Sequence, residues 1–98
     1  MPFMKGVPTV TLQQLGGWQF LAMTGARYTG SPDDPNRLIL HLPDVSAVRS
    51  VCIRLTSADL YHMTFMDSTG KVLSEVDGVF CDMLEETFTE NTGLLTRF

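Results

Sequence analysis

A chain of 98 residues, 44% hydrophobic and 18% charged, is long enough for one buried core and too ordinary in composition for a disordered segment. No apolar run approaches the ~20 residues of a membrane span, and a formal net charge of −4 argues against the non-specific duplex binding that Lys and Arg supply. That charge is unevenly spread: residues 1–56 carry five Lys or Arg against three Asp, and residues 57–98 carry two against eight Asp or Glu.

Residues 1–8, with Pro2, Gly6 and Pro8, read as a flexible arm ahead of a single domain at 9–98. Met1–Gly6 has one Lys and no apolar stretch, so no secretory signal is expected. Thr11 and Gln14 stand at capping-box spacing, and Val10 and Leu15 at the two staple positions. This predicts a turn or two of helix ended by Gly16-Gly17. In Trp18–Thr24, Trp18, Phe20 and Ala22 alternate with Gln19, Leu21 and Met23, which predicts a strand. Residues 25–36 are rich in Gly, Pro and Asp and read as a loop.

Four further strands are expected. Arg37–Leu42 sends Leu38, Leu40 and Leu42 to one face and ends at Pro43-Asp44. Val48–Thr56 does the same with Val51, Ile53 and Leu55, and Leu60–Met66 with Tyr61, Met63 and Phe65. Asp67-Ser68-Thr69-Gly70 is a hairpin loop with glycine where a positive φ is needed, and Lys71–Val76 returns from it. The period then changes to that of a helix over Val79–Thr92. Phe80, Met83, Leu84, Thr87 and Phe88 line one face, while Asp82, Glu85, Glu86 and Glu90 line the other. Gly93 is its stop, with Leu94 or Leu95 as the accompanying apolar contact. The expected fold is α+β: an antiparallel sheet of four to five strands, a C-terminal amphipathic helix on one face and a short N-terminal helix.

Chemistry-bearing groupings are sparse. Cys52 and Cys81 match no metal or redox spacing, and neither they nor His41 and His62 form a close ligand pair, so no metal and no cofactor are expected in a reduced, cytoplasmic protein. No serine lies on a nucleophile turn, and Asp33-Asp34 and Glu85-Glu86 read as solvated pairs, so no catalytic residue is assigned. Surfaces say more. The acidic face of Asp82, Glu85, Glu86 and Glu90 can dock a basic partner. The second sheet face, with Leu21, Met23, Ile39, Cys52, Met66 and Leu73, is too apolar to stand in water, so Met23 and Ile39 are candidate contacts for a protein partner or a homodimer. The Gly25–Gly30 stretch offers an alternative, a nucleic-acid-binding module using Arg27 and Tyr28 with Arg37 and Arg54, and a small enzyme acting through this loop is a third class.

Leu15-Gly16-Gly17, Phe20-Leu21-Ala22-Met23-Thr24-Gly25-Ala26, Asp59-Leu60-Tyr61 ahead of Met63-Thr64-Phe65, Asp77-Gly78-Val79-Phe80-Cys81-Asp82-Met83-Leu84 and Phe88-Thr89-Glu90-Asn91-Thr92-Gly93-Leu94 occur in this order. Together, over about residues 10–98, they resemble a family of small uncharacterised proteins of bacteriophages and prophages. The resemblance carries no catalytic residue or cofactor, and it implies a basic residue where Arg27 stands. It implies a phage or mobile-element protein acting in the cytoplasm of a bacterial host. The expectation is a non-enzymatic accessory protein that binds a protein partner, a candidate inhibitor of host defence or modulator of host or phage replication machinery, with no membrane contact.

Overall fold

Apolar residues at every second position of three successive segments build the sheet, and helices from both ends of the sequence cover one of its faces. The computed structural model describes residues 7–30, 34, 36–44 and 47–94. The elements run α1 (Val7–Gln14), α2 (Trp18–Thr24), β1 (Arg27–Gly30), β2 (Arg37–His41), β3 (Ser50–Leu55), β4 (Tyr61–Met66), β5 (Val72–Val79), a 3₁₀ turn (Cys81–Met83) and α3 (Leu84–Thr92). The five strands form one antiparallel meander in the order β1-β2-β3-β4-β5. The α+β class expected of the sequence is the observed one.

The register brings the apolar positions into rows. Leu38 pairs with Ile53 and Ile53 with Met63, while Leu40 pairs with Val51 and Val51 with Phe65; all six are fully buried. Leu15, Phe20, Leu84 and Phe88 close the core from the helical layer, with the rings of Phe20 and Phe88 edge to face at 4.9 Å. α1 contacts β2, and α3 contacts β4 and β5. All the helices therefore lie on the same face, and among the described residues no helix covers the other.

Four local expectations are corrected. Trp18–Thr24 is helix, not strand: Phe20 and Thr24, four apart, are buried, and Trp18 is 82% exposed. Burying Phe20 against Phe88 favours the helical period over the two-residue alternation. Within 25–36, Arg27–Gly30 is not loop but edge strand β1, paired with β2. The capping box does not form, because α1 begins at Val7 and Thr11 lies inside it. Tyr61 Oη instead accepts from Thr11 Oγ1 (3.3 Å) and donates to Gln14 Oε1 (2.7 Å), tying α1 to the start of β4; Val10, the expected staple residue, is 46% exposed. Finally, β5 continues to Val79, so the expected helix over 79–92 becomes an extended Phe80, a 3₁₀ turn and α3, with Phe80 and Met83 exposed rather than in the core. Of the arm drawn at 1–8, residues 1–6 lie outside the described residues, while Val7 and Pro8 belong to α1.

Candidate partner-binding surface

The open sheet face carries Ile39, Cys52 and Met66 of the expected apolar patch together with Arg27, Arg37 and Arg54. In register order it presents Arg27, His41, Ser50 and Met66 in one row, Thr29, Ile39, Cys52, Thr64 and Glu75 in the next, then Arg37, Arg54 and His62. Ile39, Cys52, Thr64 and Met66 are only partly exposed. Arg37 and Arg54 stand opposite each other on β2 and β3 and share one carboxylate. Arg54 Nε lies 2.8 Å and Arg37 Nη2 3.8 Å from Asp34 Oδ2. Asp34 Oδ1 accepts the Asn36 N–H at 3.0 Å. That backbone bond first, then Arg54 and Arg37, hold the Asp34 carboxyl below the usual carboxylate range against the opposing effect of desolvation.

His62 Nε2 lies 3.5 Å from Glu75 Oε1, and Nδ1 3.4 Å from Asp77 Oδ1. Burial pushes the Cys52 thiol up, only partly offset by Arg37 and Arg54, so it stays protonated near neutrality and is a poor nucleophile. Among the described residues, no three His, Cys, Asp or Glu side chains are grouped to hold a metal.

This geometry separates residues that the sequence reading joined. Met23 is on α2, in the helical layer, whereas Ile39 is on the open face, so the two do not share a patch. Arg27 and Tyr28 are neighbours on β1 and point to opposite faces. Tyr28 pairs with Leu40 and packs against the core, leaving Arg27 with Arg37 and Arg54 on the open side. Among the described residues, no Phe, Tyr or Trp therefore stands on the arginine face to stack a base.

The exposed large apolar side chains lie mainly in the helical layer: Trp18 at 82%, Phe80 at 56%, Val10 at 46% and Met83 at 43%. Their elements meet. α1 contacts the 3₁₀ turn, and a Cβ built on Gly16, two residues before Trp18, would lie 3.4 Å from Glu85 Oε1. Gly16 and Gly17, with φ of +119° and +58°, let the chain reverse tightly enough between α1 and α2 to approach α3 this closely.

Acidic residues belong to the same layer. Asp82 is exposed in the 3₁₀ turn rather than on α3; Glu85 is half-buried and Glu86 exposed in the first turn of α3, and Glu90 is exposed one turn on. Carboxylates in a helix's first turn are favoured by its dipole, so Glu85 and Glu86 also stabilise α3. The sequence reading picked out these four acids but assigned Trp18 and Phe80 to the core.

No protein-family model, curated protein or solved structure matches this chain.

Proposed function

We propose that this is a non-enzymatic accessory protein of a bacteriophage or mobile element, acting in the bacterial cytoplasm by binding a protein of the host-defence or replication machinery. The observation that carries the reading is Trp18. A tryptophan 82% exposed on a helix anchored through Phe20 loses little freedom when a partner covers it. Tryptophan is also the residue most often found to dominate interface energetics. Phe80 and Met83 are also exposed, in and beside the 3₁₀ turn that α1 contacts, and Asp82, Glu86 and Glu90 are exposed in the same layer.

The nucleic-acid reading draws on Arg27, Arg37 and Arg54 sharing the open face, and it stands second because Asp34 already engages two of the three. Capture from infected cells with the tagged wild-type chain and with Trp18→Ala tests the proposal. The variant should stay folded, since an exposed side chain away from the core contributes within about 0.5 kcal/mol. A partner held by the wild type and bound about tenfold or more weakly by Trp18→Ala supports it. Equal retention by both, or retention only of nucleic acid that salt displaces, overturns it.

A further inference from the structure

We infer that the Trp18 surface takes a basic amphipathic segment of its partner, one with an apolar stripe flanked by Lys or Arg. This rests on the partner-binding reading above and adds the partner's chemistry. Charge layout is the argument. Asp82, Glu85, Glu86 and Glu90 belong to the layer that exposes Trp18, Phe80 and Met83, while Arg27, Arg37 and Arg54 lie on the far side of the sheet.

A second copy is a poor occupant. Two-fold pairing through this surface would set carboxylates against carboxylates, and like charges across an interface disfavour it. Seating the arginine face of one copy on the acidic layer of the next is a head-to-tail contact, and Asp34 already engages Arg37 and Arg54 on that face. An anionic nucleic acid or lipid surface is disfavoured by the same carboxylates. A cationic amphipathic segment satisfies both features at once: apolar side chains cover Trp18, Phe80 and Met83, and Lys or Arg at the margins meet Asp82 and Glu86.

Trp18 is the sole tryptophan, so its fluorescence reports this site alone. The probe is a tryptophan-free Lys/Leu amphipathic helical peptide, with a Glu/Leu peptide of the same pattern as its control, titrated into the full chain. The Lys/Leu peptide should shift Trp18 emission to the blue and protect it from acrylamide, and the Glu/Leu peptide should do neither. Asp82→Lys/Glu86→Lys should weaken the response by about tenfold or more, while Glu75→Lys/Asp77→Lys, an equal charge change on the open face, should leave it near wild type. Equal weakening by the two pairs reduces the effect to net charge and overturns the inference, as does an equal response to both peptides or none to either. Trp18 already shielded from acrylamide in the free chain overturns it too, because the chain itself or a second copy then covers the surface. A cellular partner lost by Trp18→Ala but kept by Asp82→Lys/Glu86→Lys would leave the partner-binding reading standing and remove the basic chemistry.

Discussion

Asp59 holds a φ of +60°, the only non-glycine positive φ among the described residues, and the neighbouring hairpin shows why. The loops at 56–60 and 67–71 are the same structure. Thr56 N–H donates to Leu60 O (2.8 Å) as Asp67 N–H does to Lys71 O (3.0 Å), and Asp59 N–H donates to Thr56 O as Gly70 N–H does to Asp67 O, both at 3.1 Å. In each loop the first side chain accepts an N–H two residues on: Thr56 Oγ1 from Ala58, and Asp67 Oδ1 from Thr69. Gly70 and Asp59 occupy equivalent left-handed positions, the one free of Cβ strain and the other not. A Cβ at Gly70 would meet nothing within 4 Å, so Gly70→Ala measures backbone strain without a packing clash and should cost about 1 kcal/mol. At Asp59 the order of stability in denaturant titrations should be Gly, then Asp, then Val, with Val about 1–2 kcal/mol below wild type. A valine variant as stable as wild type would show that the loop does not need the left-handed conformation there.

α2 and α3 end on one device. Thr24 Oγ1 donates to Phe20 O and accepts the Ala26 N–H across left-handed Gly25, and Thr92 Oγ1 does the same with Phe88 O and the Leu94 N–H across Gly93. Both motifs follow a buried phenylalanine, and those two rings meet in the core. Leu84→Ala should therefore cost about 2–5 kcal/mol and Phe88→Ala about 3–5 kcal/mol. Phe80→Ala, at a position 56% exposed, should stay within about 0.5 kcal/mol of wild type in the same unfolding assay. A large loss at Phe80 would restore it to the core that its helical spacing had implied. β2, β3 and β4 were legible because buried and open positions alternate over whole strands, and the α3 stop was legible from Gly93. Within the seven residues of α2, Trp18-Phe20-Ala22 reads as alternation while Phe20 and Thr24 read as one helix face, and periodicity cannot choose between them. Thr24-Gly25-Ala26, matching Thr92-Gly93-Leu94, was the discriminating sign. β1 has no pattern of its own, since Arg27–Gly30 becomes a strand only by pairing with β2. The acids of the candidate surface were legible from their spacing, but Trp18 was not, because its exposure follows from the helical period of α2.

Across the molecule, the sheet separates an acidic helical layer from a face on which the arginines are partly neutralised, and two carboxylates fasten its loops. Asp34 joins the segment before β2 to Arg37 and Arg54, and Asp67 closes the β4–β5 hairpin. Asp67 is held below the usual range by the Thr69 hydroxyl (2.6 Å), then the Thr69 N–H and the Lys71 N–H, as Asp34 is by the Asn36 N–H and its arginines. A carboxylate whose folded pKa is depressed binds fewer protons folded than unfolded as the solution is acidified. Its stabilisation is complete above the unfolded value of about 3.8 and is lost as pH falls through the folded value. Thermal stability should therefore change little on account of these two groups between neutrality and about pH 5, and decline below about pH 4 as they protonate. Asp67→Asn keeps an oxygen to accept the Thr69 and Lys71 amides but cannot titrate, and Asp34→Asn likewise keeps an acceptor for Asn36. Each variant should begin slightly less stable than wild type at pH 7 and lose less on acidification, so that the curves converge as the wild-type carboxylates protonate, and the double variant should be flatter than either. Acid limbs that run parallel in all four proteins would mean that neither loop carboxylate drives acid unfolding, and would shift that role to the carboxylates of the helical layer.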